Sequence, residues 1–455
     1  MNSMRRLLLI LFLSLTSYLV TSSLSVVLIS LLLFFVGRQL VGFFQAKDYK
    51  NDTLSIFDIS YMASFIYALM CFSFMNSNHY EYLQSFDGFN VYIPYTEELL
   101  NTDSLKSLIA EIYSVSKYIF VGLILIPFVY IGKLSSLFDG ELYVTIQTII
   151  ILFASLVNVV VYNILVYNKT PPNKALLYTL LYAILSIHFY MSTFIVRDMS
   201  ITLFYTLLIY FSFKPFTSKR LTLMILLVVL IGSIRLSSGI FASLYIFMVL
   251  FLSMKKGNVL KKALGFVFLS LVILFALNYI DIIQATFESK QLYYQKLEAE
   301  AGASTVAAFN VLPPGISHIV KAFYNQFMPI PSWRTMVETS FRPESYNIMN
   351  FPVIFATLFR YIMWFTIFVG LSSKKIRRYI FNNKVLVYNI FIALLFIAIQ
   401  SDTMGHRRLL GVYPVFFLLS VLVYQNLNSK NKKMVLLIPS IVFILLQTIG
   451  LSNAL

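Results

Sequence analysis

The chain has 455 residues, of which 59% are hydrophobic and 12% are charged, and its mean hydropathy is +0.81. A soluble domain carries roughly 25% charged residues, so this composition excludes an ordinary soluble enzyme and predicts a membrane protein. The apolar segments are continuous rather than alternating. Because backbone amides in lipid must be hydrogen-bonded within the chain, such segments favour α-helices over a closed barrel.

The net charge of +16 and the single cysteine exclude further classes of protein. The basic residues form short clusters between apolar segments, which is the pattern of membrane loops rather than of a nucleic-acid surface. One cysteine, Cys71, allows no internal disulfide framework, and the four histidines show no metal-binding spacing. We predict no nucleic acid and no resident cofactor, although a divalent cation beside acidic residues stays open.

The N-terminal segment Met1–Ser23 is similar to a signal peptide, but a second apolar segment follows at once and favours an uncleaved hairpin. The sequence predicts an all-α polytopic membrane protein with a single transmembrane domain over residues 1–455. We predict thirteen spanning helices, several of them short or tilted. They cover residues 7–21, 24–42, 56–75, 143–166, 176–195, 199–213, 221–234, 238–254, 263–280, 352–370, 385–400, 409–426 and 434–451.

The charged residues predict the orientation of these helices. With a cytoplasmic N-terminus, 22 of the 35 lysines and arginines fall in inner segments, and 16 of the 19 acidic residues fall outside. Asp58 and Arg38 are counted among the inner charges. Because short loops rich in lysine and arginine stay in the cytoplasm, we predict a multi-pass membrane protein with its N-terminus inside.

One apolar segment does not fit as a crossing. Residues 117–134 are apolar enough to span a membrane, but a crossing there would place the later lysine clusters outside. We therefore predict a re-entrant or surface-lying helix broken at Pro127. Apolar residues at helical spacing follow the capping sequence 101–104, which predicts an interfacial helix. Two large outer loops result, 76–142 with these helices and 281–351.

Ionisable side chains in or beside a bilayer cost roughly 2.5–3.5 kcal/mol at mid-depth, so they usually have a function. Asp87, in the first outer loop, either forms an ordinary Asp-Gly turn or presents a general base. Arg197 and Asp198 interrupt an otherwise apolar stretch from 176 to 213. They are either a self-compensating pair at a turn or part of a site.

Further cations lie at or near the same predicted face. Arg235, in a tight outer turn, either snorkels to the surface or binds an anion. Arg360, within the predicted span 352–370, requires a partner or a polar cavity. The late loop 400–408 is either solvated or binds phosphate, for which paired arginines are suited. Its ionisable residues are Asp402, His406, Arg407 and Arg408.

Several features follow one another in a characteristic order along residues 56–260 and the last third of the chain. They are the acidic loop with Asp87-Gly88, an apolar helix ending Leu137-Phe138-Asp139-Gly140, a span with Asn158 and Tyr162, the Arg197-Asp198 and Ile234-Arg235 hairpins, Arg407-Arg408-Leu409 and Tyr413-Pro414. This order resembles bacterial membrane glycosyltransferases of the GT-C type and the related O-antigen (Wzy-type) polysaccharide polymerases. The resemblance implies a GT-C-like fold.

The resemblance also implies roles for the residues. The catalytic carboxylates would be those of Asp87 and Asp198. The residues that bind the pyrophosphate of the substrate would be Arg197, Arg235, Arg360, His406, Arg407 and Arg408. The substrate would be a polyprenyl-pyrophosphate-linked glycan used in O-antigen or capsule synthesis, with membrane lipids and a polysaccharide chain-length regulator as partners. The family often has two adjacent carboxylates in the first loop. Here Gly88 follows Asp87, so no metal site is predicted.

Two other classes stay open. A flippase for lipid-linked oligosaccharides or another polytopic transporter fits the number of spans, although no inverted repeat is visible. A membrane scaffold without chemistry is the third hypothesis. A flippase should have its charged residues around a cavity near mid-membrane that is reachable from both faces, whereas the transferase hypothesis predicts that they converge at the outer face. We expect Asp87, Asp198, Arg235 and Arg407 within about 15 Å around one outward cavity, which would span a pyrophosphate and one sugar. The loop 281–351 should roof this cavity, and Arg360 should point into it.

Overall fold

The computed structural model describes residues 3–44, 49–83, 86–115, 122–253, 326–337, 343–400 and 409–452, with single residues at 313, 316, 320, 323 and 324. This part of the chain is all-helical. Its helices are α1 (Ser3–Thr21), α2 (Leu24–Phe44), α3 (Lys50–Ser77), α4 (Ile93–Leu99), α5 (Leu105–Val115), α6 (Leu125–Ser136), α7 (Tyr143–Tyr167), α8 (Pro172–Leu185), α9 (Ile187–Met191), α10 (Asp198–Phe213), α11 (Ser218–Ile234), α12 (Leu236–Ser253), α13 (Pro352–Ser372), α14 (Lys374–Asn382), α15 (Lys384–Gln400), α16 (Tyr413–Asn426) and α17 (Ser429–Ser452).

Five helical stretches are long and apolar enough to cross a membrane, and α14 with α15 makes a sixth if this bent pair is one span. The five lie at Leu24–Gly42, Lys50–Ser77, Tyr143–Tyr167, Ile348–Ser372 and Ser429–Ile449. Shorter apolar helices occupy the predicted spans 7–21, 199–213, 238–254 and 409–426. These helices are compatible with a membrane protein. The figure of thirteen crossings stays a prediction, and the span 263–280 lies outside the described residues.

The predicted span 176–195 is not one helix. It is divided into α8 and the short α9 at Ser186, whose backbone is extended. The Ser186 side chain accepts a hydrogen bond from the backbone N–H of His188, so it caps α9. Serine side chains compete with helical hydrogen bonds in this way. The prediction of one continuous helix is therefore wrong at this position.

Helix α7 forms the centre of the described bundle. Its apolar side chains surround the helix on all sides, and 89% of its most apolar stretch is buried. A helix that is apolar all round is expected to lie inside a bundle rather than at its edge. It packs against α2, α3 and α10. Exposed apolar surface belongs instead to helices such as α17, where only 17% of the most apolar stretch is buried.

A buried ion pair joins α2 to α3. The guanidinium of Arg38 donates to both carboxylate oxygens of Asp58, and both side chains are largely buried. The sequence analysis counted these residues only as inner charges. The structure shows that they neutralise one another between two helices, which lowers the cost of burying either charge. On the same side, the Tyr162 hydroxyl donates to Asp52 at 2.8 Å.

The Asp139 carboxylate ties the first outer loop to the hairpin between α1 and α2. It accepts hydrogen bonds from the backbone N–H groups of Leu24 and Ser25 and from the hydroxyls of Ser23 and Ser25. Its small burial tends to raise the pKa of Asp139, but these hydrogen bonds outweigh it and lower the pKa to about 2. Asp139 is thus an N-cap of α2 supplied from a distant part of the chain.

The segment 122–136 begins and ends beside turns that the sequence analysis assigns to one face. Gly122 has a φ of +54°, and a Cβ atom there would lie 2.4 Å from the carbonyl oxygen of Ser233. Asp139, just after α6, contacts Ser23. Both turns, 22–23 and 233–235, are predicted to be outer. If both turns lie at the outer face, as predicted, this segment returns to the side from which it starts; the re-entrant helix stays a prediction.

Loss of the Asp139 cap should destabilise the protein. Asp139→Ala removes the acceptor for two backbone N–H groups at the start of α2, and loss of a cap usually costs about 1 kcal/mol. We expect a lower melting temperature in thermal unfolding of the purified protein in detergent. Asp103→Ala, at an exposed position of the same loop, is the matched control and should change little. Equal melting temperatures for both variants would contradict the cap.

Glu141 should make the stability depend on pH. Burial raises the pKa of Glu141 from 4.5 to about 6, although backbone N–H groups at the start of α7 donate to its carboxylate. A folded pKa above the unfolded pKa means that the folded state binds the proton more tightly. The resulting stability is present below pH 4.5 and is lost as the pH rises through about 6. Relative to Glu141→Gln, the wild type should therefore lose stability over this range, as measured by melting temperature. A constant difference would contradict the shift.

Candidate functional site

The site is built on an ion pair between two helix ends. The Arg235 guanidinium donates to a carboxylate oxygen of Asp198 at 2.6 Å. The Asp198 side chain is 4% exposed and that of Arg235 is 12% exposed. Asp198 is the first residue of α10, and Arg235 directly follows α11. Each charge therefore has the sign that its helix dipole favours.

Close backbone packing fixes Arg235 at the tip of its hairpin. Helices α11 and α12 meet at Gly232 and Gly239, where a Cβ atom on Gly239 would lie 2.5 Å from the Cα atom of Gly232. The guanidinium of Arg197 donates to the carbonyl of Ile234 at 3.3 Å. Arg197 and Asp198 thus hold two consecutive residues of the other hairpin. The two predicted hairpins form one structure at this end.

Tyr92 brings the first outer loop to the same place. Its side chain is buried, and its ring packs edge-on against Phe128 of α6 at 6.1 Å. Burial raises the pKa of the Tyr92 phenol. The charges of Arg197 and Arg235 lower this pKa, and those of Asp198 and Asp87 raise it. The Tyr92 phenol therefore interacts electrostatically with all four charged groups.

Arg197, Asp198 and Arg235 therefore come together from two separate parts of the chain, and Asp87, from a third part, interacts electrostatically with the same Tyr92 phenol. We call these four residues with Tyr92 the charged cluster. Asp87 is half-buried and directly precedes a single π-helical turn, Gly88–Tyr92, so it does not form the ordinary Asp-Gly turn. The cluster holds two carboxylates and two guanidinium groups, so its formal charges balance. This balance reduces the cost of burying the groups.

Arg360 has a different environment. Its side chain is buried, and its guanidinium donates to the carbonyl of Met328 at 2.5 Å and to the hydroxyl of Thr357 at 3.2 Å. Met328 belongs to the predicted outer loop 281–351. Arg360 therefore points into the protein and not toward lipid, but these contacts attach it to a loop backbone. The structure does not show it to be part of the charged cluster.

His406, Arg407 and Arg408 lie outside the described residues, as does Asp402. The chain directly after them is described. The backbone carbonyl of Leu410 is 3.1 Å from Nε2 of His188, and Gly411 packs against the ring of Tyr205 in α10. Tyr205 is seven residues after Asp198 along the same helix, which is about 10 Å. The end of this late loop is thus anchored to the helix that begins with Asp198.

The described part of the outer loop 281–351 packs on the same end of the bundle. The Tyr67 hydroxyl donates to the carbonyl of Met349 at 2.6 Å, and the Tyr190 hydroxyl donates to Asn350 at 2.9 Å. At the other side, Ser332 donates to the side chain of Gln447 at 2.8 Å. Residues 326–337 and 343–350 therefore connect α3, α9 and α17. Whether they roof the charged cluster stays a prediction.

A largely apolar cavity of about 300 Å³ lies between α13 and α17. Its walls include aromatic side chains of α13 and residues around Pro439 of α17, and the loop at Phe327 also lines it. The exposed surface of α17 continues beside it. An apolar cavity of this size can hold part of a hydrocarbon chain.

The sequence analysis missed two residues near this end. Tyr92 gave no signal because it is one of 30 tyrosines. His188 was considered only as one of four histidines without metal-binding spacing. The structure places it, buried, at the break between α8 and α9 with Tyr182 and Leu410 as partners. Its position near the polar Ser186 in an apolar segment was the available signal. Both contacts depend on distant parts of the chain.

Among the described residues, no group of three His, Cys, Asp or Glu side chains lies close enough to hold a metal ion. Comparison of the chain with protein-family models, with curated proteins and with solved structures gives no match. The resemblance to GT-C-type glycosyltransferases therefore stays a prediction. The geometry of the charged cluster is what supports a function.

The Asp198–Arg235 pair should behave as a buried ion pair. Arg235→Met removes the cation beside a buried carboxylate, and such a change usually costs roughly 3–5 kcal/mol. We expect a strong fall in melting temperature. Adding Asp198→Leu should restore most of it, because an apolar pair of similar volume can replace an ion pair. Arg235→Lys, which keeps the charge, is the control. Additive losses in the double variant would contradict a direct pair.

Proposed function

We propose that the chain is a polytopic inner-membrane glycosyltransferase or repeat-unit polymerase. Its substrate would be a polyprenyl-pyrophosphate-linked sugar at the outer face of the cytoplasmic membrane. The observation that carries this proposal is the charged cluster. Asp198 and Arg235 are in contact, Arg197 reaches the same turn, and these three groups and Asp87 act electrostatically on the buried Tyr92 phenol. Such an arrangement is costly beside lipid and is usually kept for a function.

The reaction needs a base for the acceptor hydroxyl and cations for the departing pyrophosphate. Asp198 is bound to Arg235, so its carboxylate is already neutralised by a cation. Asp87 is half-buried on a short turn and is the better candidate for the base, with Asp198 positioning the guanidinium of Arg235. Arg197 and Arg235 would stabilise the negative charge that develops on the leaving phosphate. Arg407 and Arg408 could add to this binding.

The substrate also needs room for a polyprenyl chain. The cavity between α13 and α17 and the apolar segment 122–136 are the two candidates. Gly122 packs directly beside the turn that carries Arg235. The segment 122–136 is therefore the one in contact with the charged cluster. We propose that the part of the chain nearest to the pyrophosphate lies along this segment.

One observation favours a transporter as the second candidate. Helices α8 and α9 form a broken helix with the buried His188 at the break. Broken helices with polar residues are common at the substrate sites of secondary transporters. A flippase would move the lipid-linked glycan across the membrane without changing it. In proteoliposomes, it would transfer a fluorescent lipid-linked sugar between leaflets and would form no new glycosidic bond.

The proposed activity is tested with the purified protein in nanodiscs and a lipid-linked repeat unit. A polymerase gives a ladder of products, and a single-sugar transferase gives one product. Asp87→Asn should lower the rate by about 10²–10⁴-fold, the usual contribution of general base catalysis. Asp103→Asn, at an exposed position of the same loop, should keep full activity. Asp87→Asn with unchanged rate and melting temperature would remove Asp87 from the mechanism.

The same proposal has a test in cells. Deletion of the gene should change the length distribution of the surface glycan of the cell, and the Asp87→Ala variant should fail to restore it. Expression of each variant must first be matched to that of the wild type. An unchanged glycan in the deletion strain would contradict a role in surface polysaccharide synthesis.

A further inference from the structure

A short cationic helix at the opposite end of the bundle has no role in the proposed reaction. Helix α14 has the sequence Lys-Lys-Ile-Arg-Arg-Tyr-Ile-Phe-Asn, with basic residues at Lys374, Lys375, Arg377 and Arg378. All four are exposed. The sequence contains no acidic residue between positions 345 and 401, so the chain around this helix offers no local counter-charge. The anion that balances these cations must come from outside this segment.

The helix is strongly two-sided. Ile376 and Ile380 are each 3% exposed and belong to the core. The helical spacing of 100° per residue places Lys374, Arg378 and Phe381 on the face opposite to these isoleucines. Phe381 is 63% exposed, and Tyr379 beside this face is 45% exposed. Cations and a large aromatic side chain thus share one outward face, which suits the boundary between headgroups and hydrocarbon.

The orientation of the helix supports the same partner. α14 is bent by 95° from α15, and it directly follows α13. If α13 and α15 cross a membrane, as proposed above, α14 must lie along its surface. Gly370, near the end of α13, packs against Val423 of α16. The nearby start of α17 adds Lys430, Lys432 and Lys433, so α14 lies at a basic end of the molecule.

We propose that the outward face of α14 binds the headgroups of anionic phospholipids in the cytoplasmic leaflet. The guanidinium and ammonium groups would pair with lipid phosphates, and Phe381 would insert between the headgroups. This inference rests on the proposed membrane topology and not on the proposed glycosyl transfer. It therefore can fail or hold independently of the enzymatic activity. It predicts that anionic lipid stabilises the protein.

The test uses the full chain, purified into nanodiscs of phosphatidylcholine with increasing phosphatidylglycerol. The measurement is the amount of phosphatidylglycerol that gives half of the maximal rise in melting temperature. Each basic residue near an anionic surface contributes about fivefold in affinity. The variant K374Q/K375Q/R377Q/R378Q should therefore need at least fivefold more anionic lipid. The charge-preserving variant K374R/K375R/R377K/R378K should respond as the wild type does.

Further arms identify the ligand and the helix. Inorganic phosphate at the same concentration as phosphatidylglycerol should not raise the melting temperature, because it offers no surface for Phe381. Phe381→Ala changes one exposed side chain and should weaken the lipid response without unfolding the protein. K430Q/K432Q/K433Q should have a smaller effect than the α14 variant. Three outcomes would overturn the proposal. The melting temperature of the wild type could be as high in phosphatidylcholine alone as with phosphatidylglycerol, or inorganic phosphate could raise it as much as phosphatidylglycerol does. The α17 variant could also lose as much of the lipid response as the α14 variant.

Discussion

The buried ion pair between Asp198 and Arg235 is the interaction on which the candidate site depends. A carboxylate at 4% exposure next to apolar helices is tolerable only with a cation in contact. This requirement holds the start of α10 against the turn between α11 and α12. Arg197 then reaches the backbone of the same turn at Ile234. The position of Gly122 against Ser233 brings the first outer loop to this point.

The charged side chains at the two ends of the molecule differ in their burial and pairing. At the end with the charged cluster, the carboxylates and arginines come from three segments and are buried or partly buried. At the other end, the Arg38–Asp58 pair is internal, while the four cations of α14 are exposed, as are Lys430 and Lys433 at the start of α17. Exposed cations suit a surface of anionic lipid. Balanced buried charges suit the binding of a substrate whose own charge develops during a reaction.

Much of the helical framework was predictable, because continuous apolar segments determine it. The helices α2, α3, α7, α13 and α17 lie where the sequence placed them. The break at Ser186 was not predicted, since a single serine in an apolar segment does not usually end a helix. Its effect depends on His188, which is held by the distant carbonyl of Leu410. Contacts between distant segments are not encoded in local periodicity.

The same reason explains what was found and missed at the site. Asp87, Arg197, Asp198 and Arg235 were recognised because charges are rare in apolar surroundings. Tyr92 was missed because its chemistry carries no such signal, and its surroundings include Phe128 and the charges of two other segments. Arg360 was expected at the cavity, but a backbone carbonyl at Met328 binds it. A charge in a span predicts a partner without specifying which partner it will be.

The central claim is that the charged cluster binds the pyrophosphate of a lipid-linked sugar. The most direct measurement is photo-crosslinking of the purified protein with a polyprenyl pyrophosphate that carries a photoreactive group next to the phosphates, followed by mapping of the modified peptides. The account predicts adducts in the segments 86–92, 193–198 and 233–239, which unlabelled lipid pyrophosphate should suppress. Adducts that occur only at α14, or that unlabelled ligand does not reduce, would contradict it.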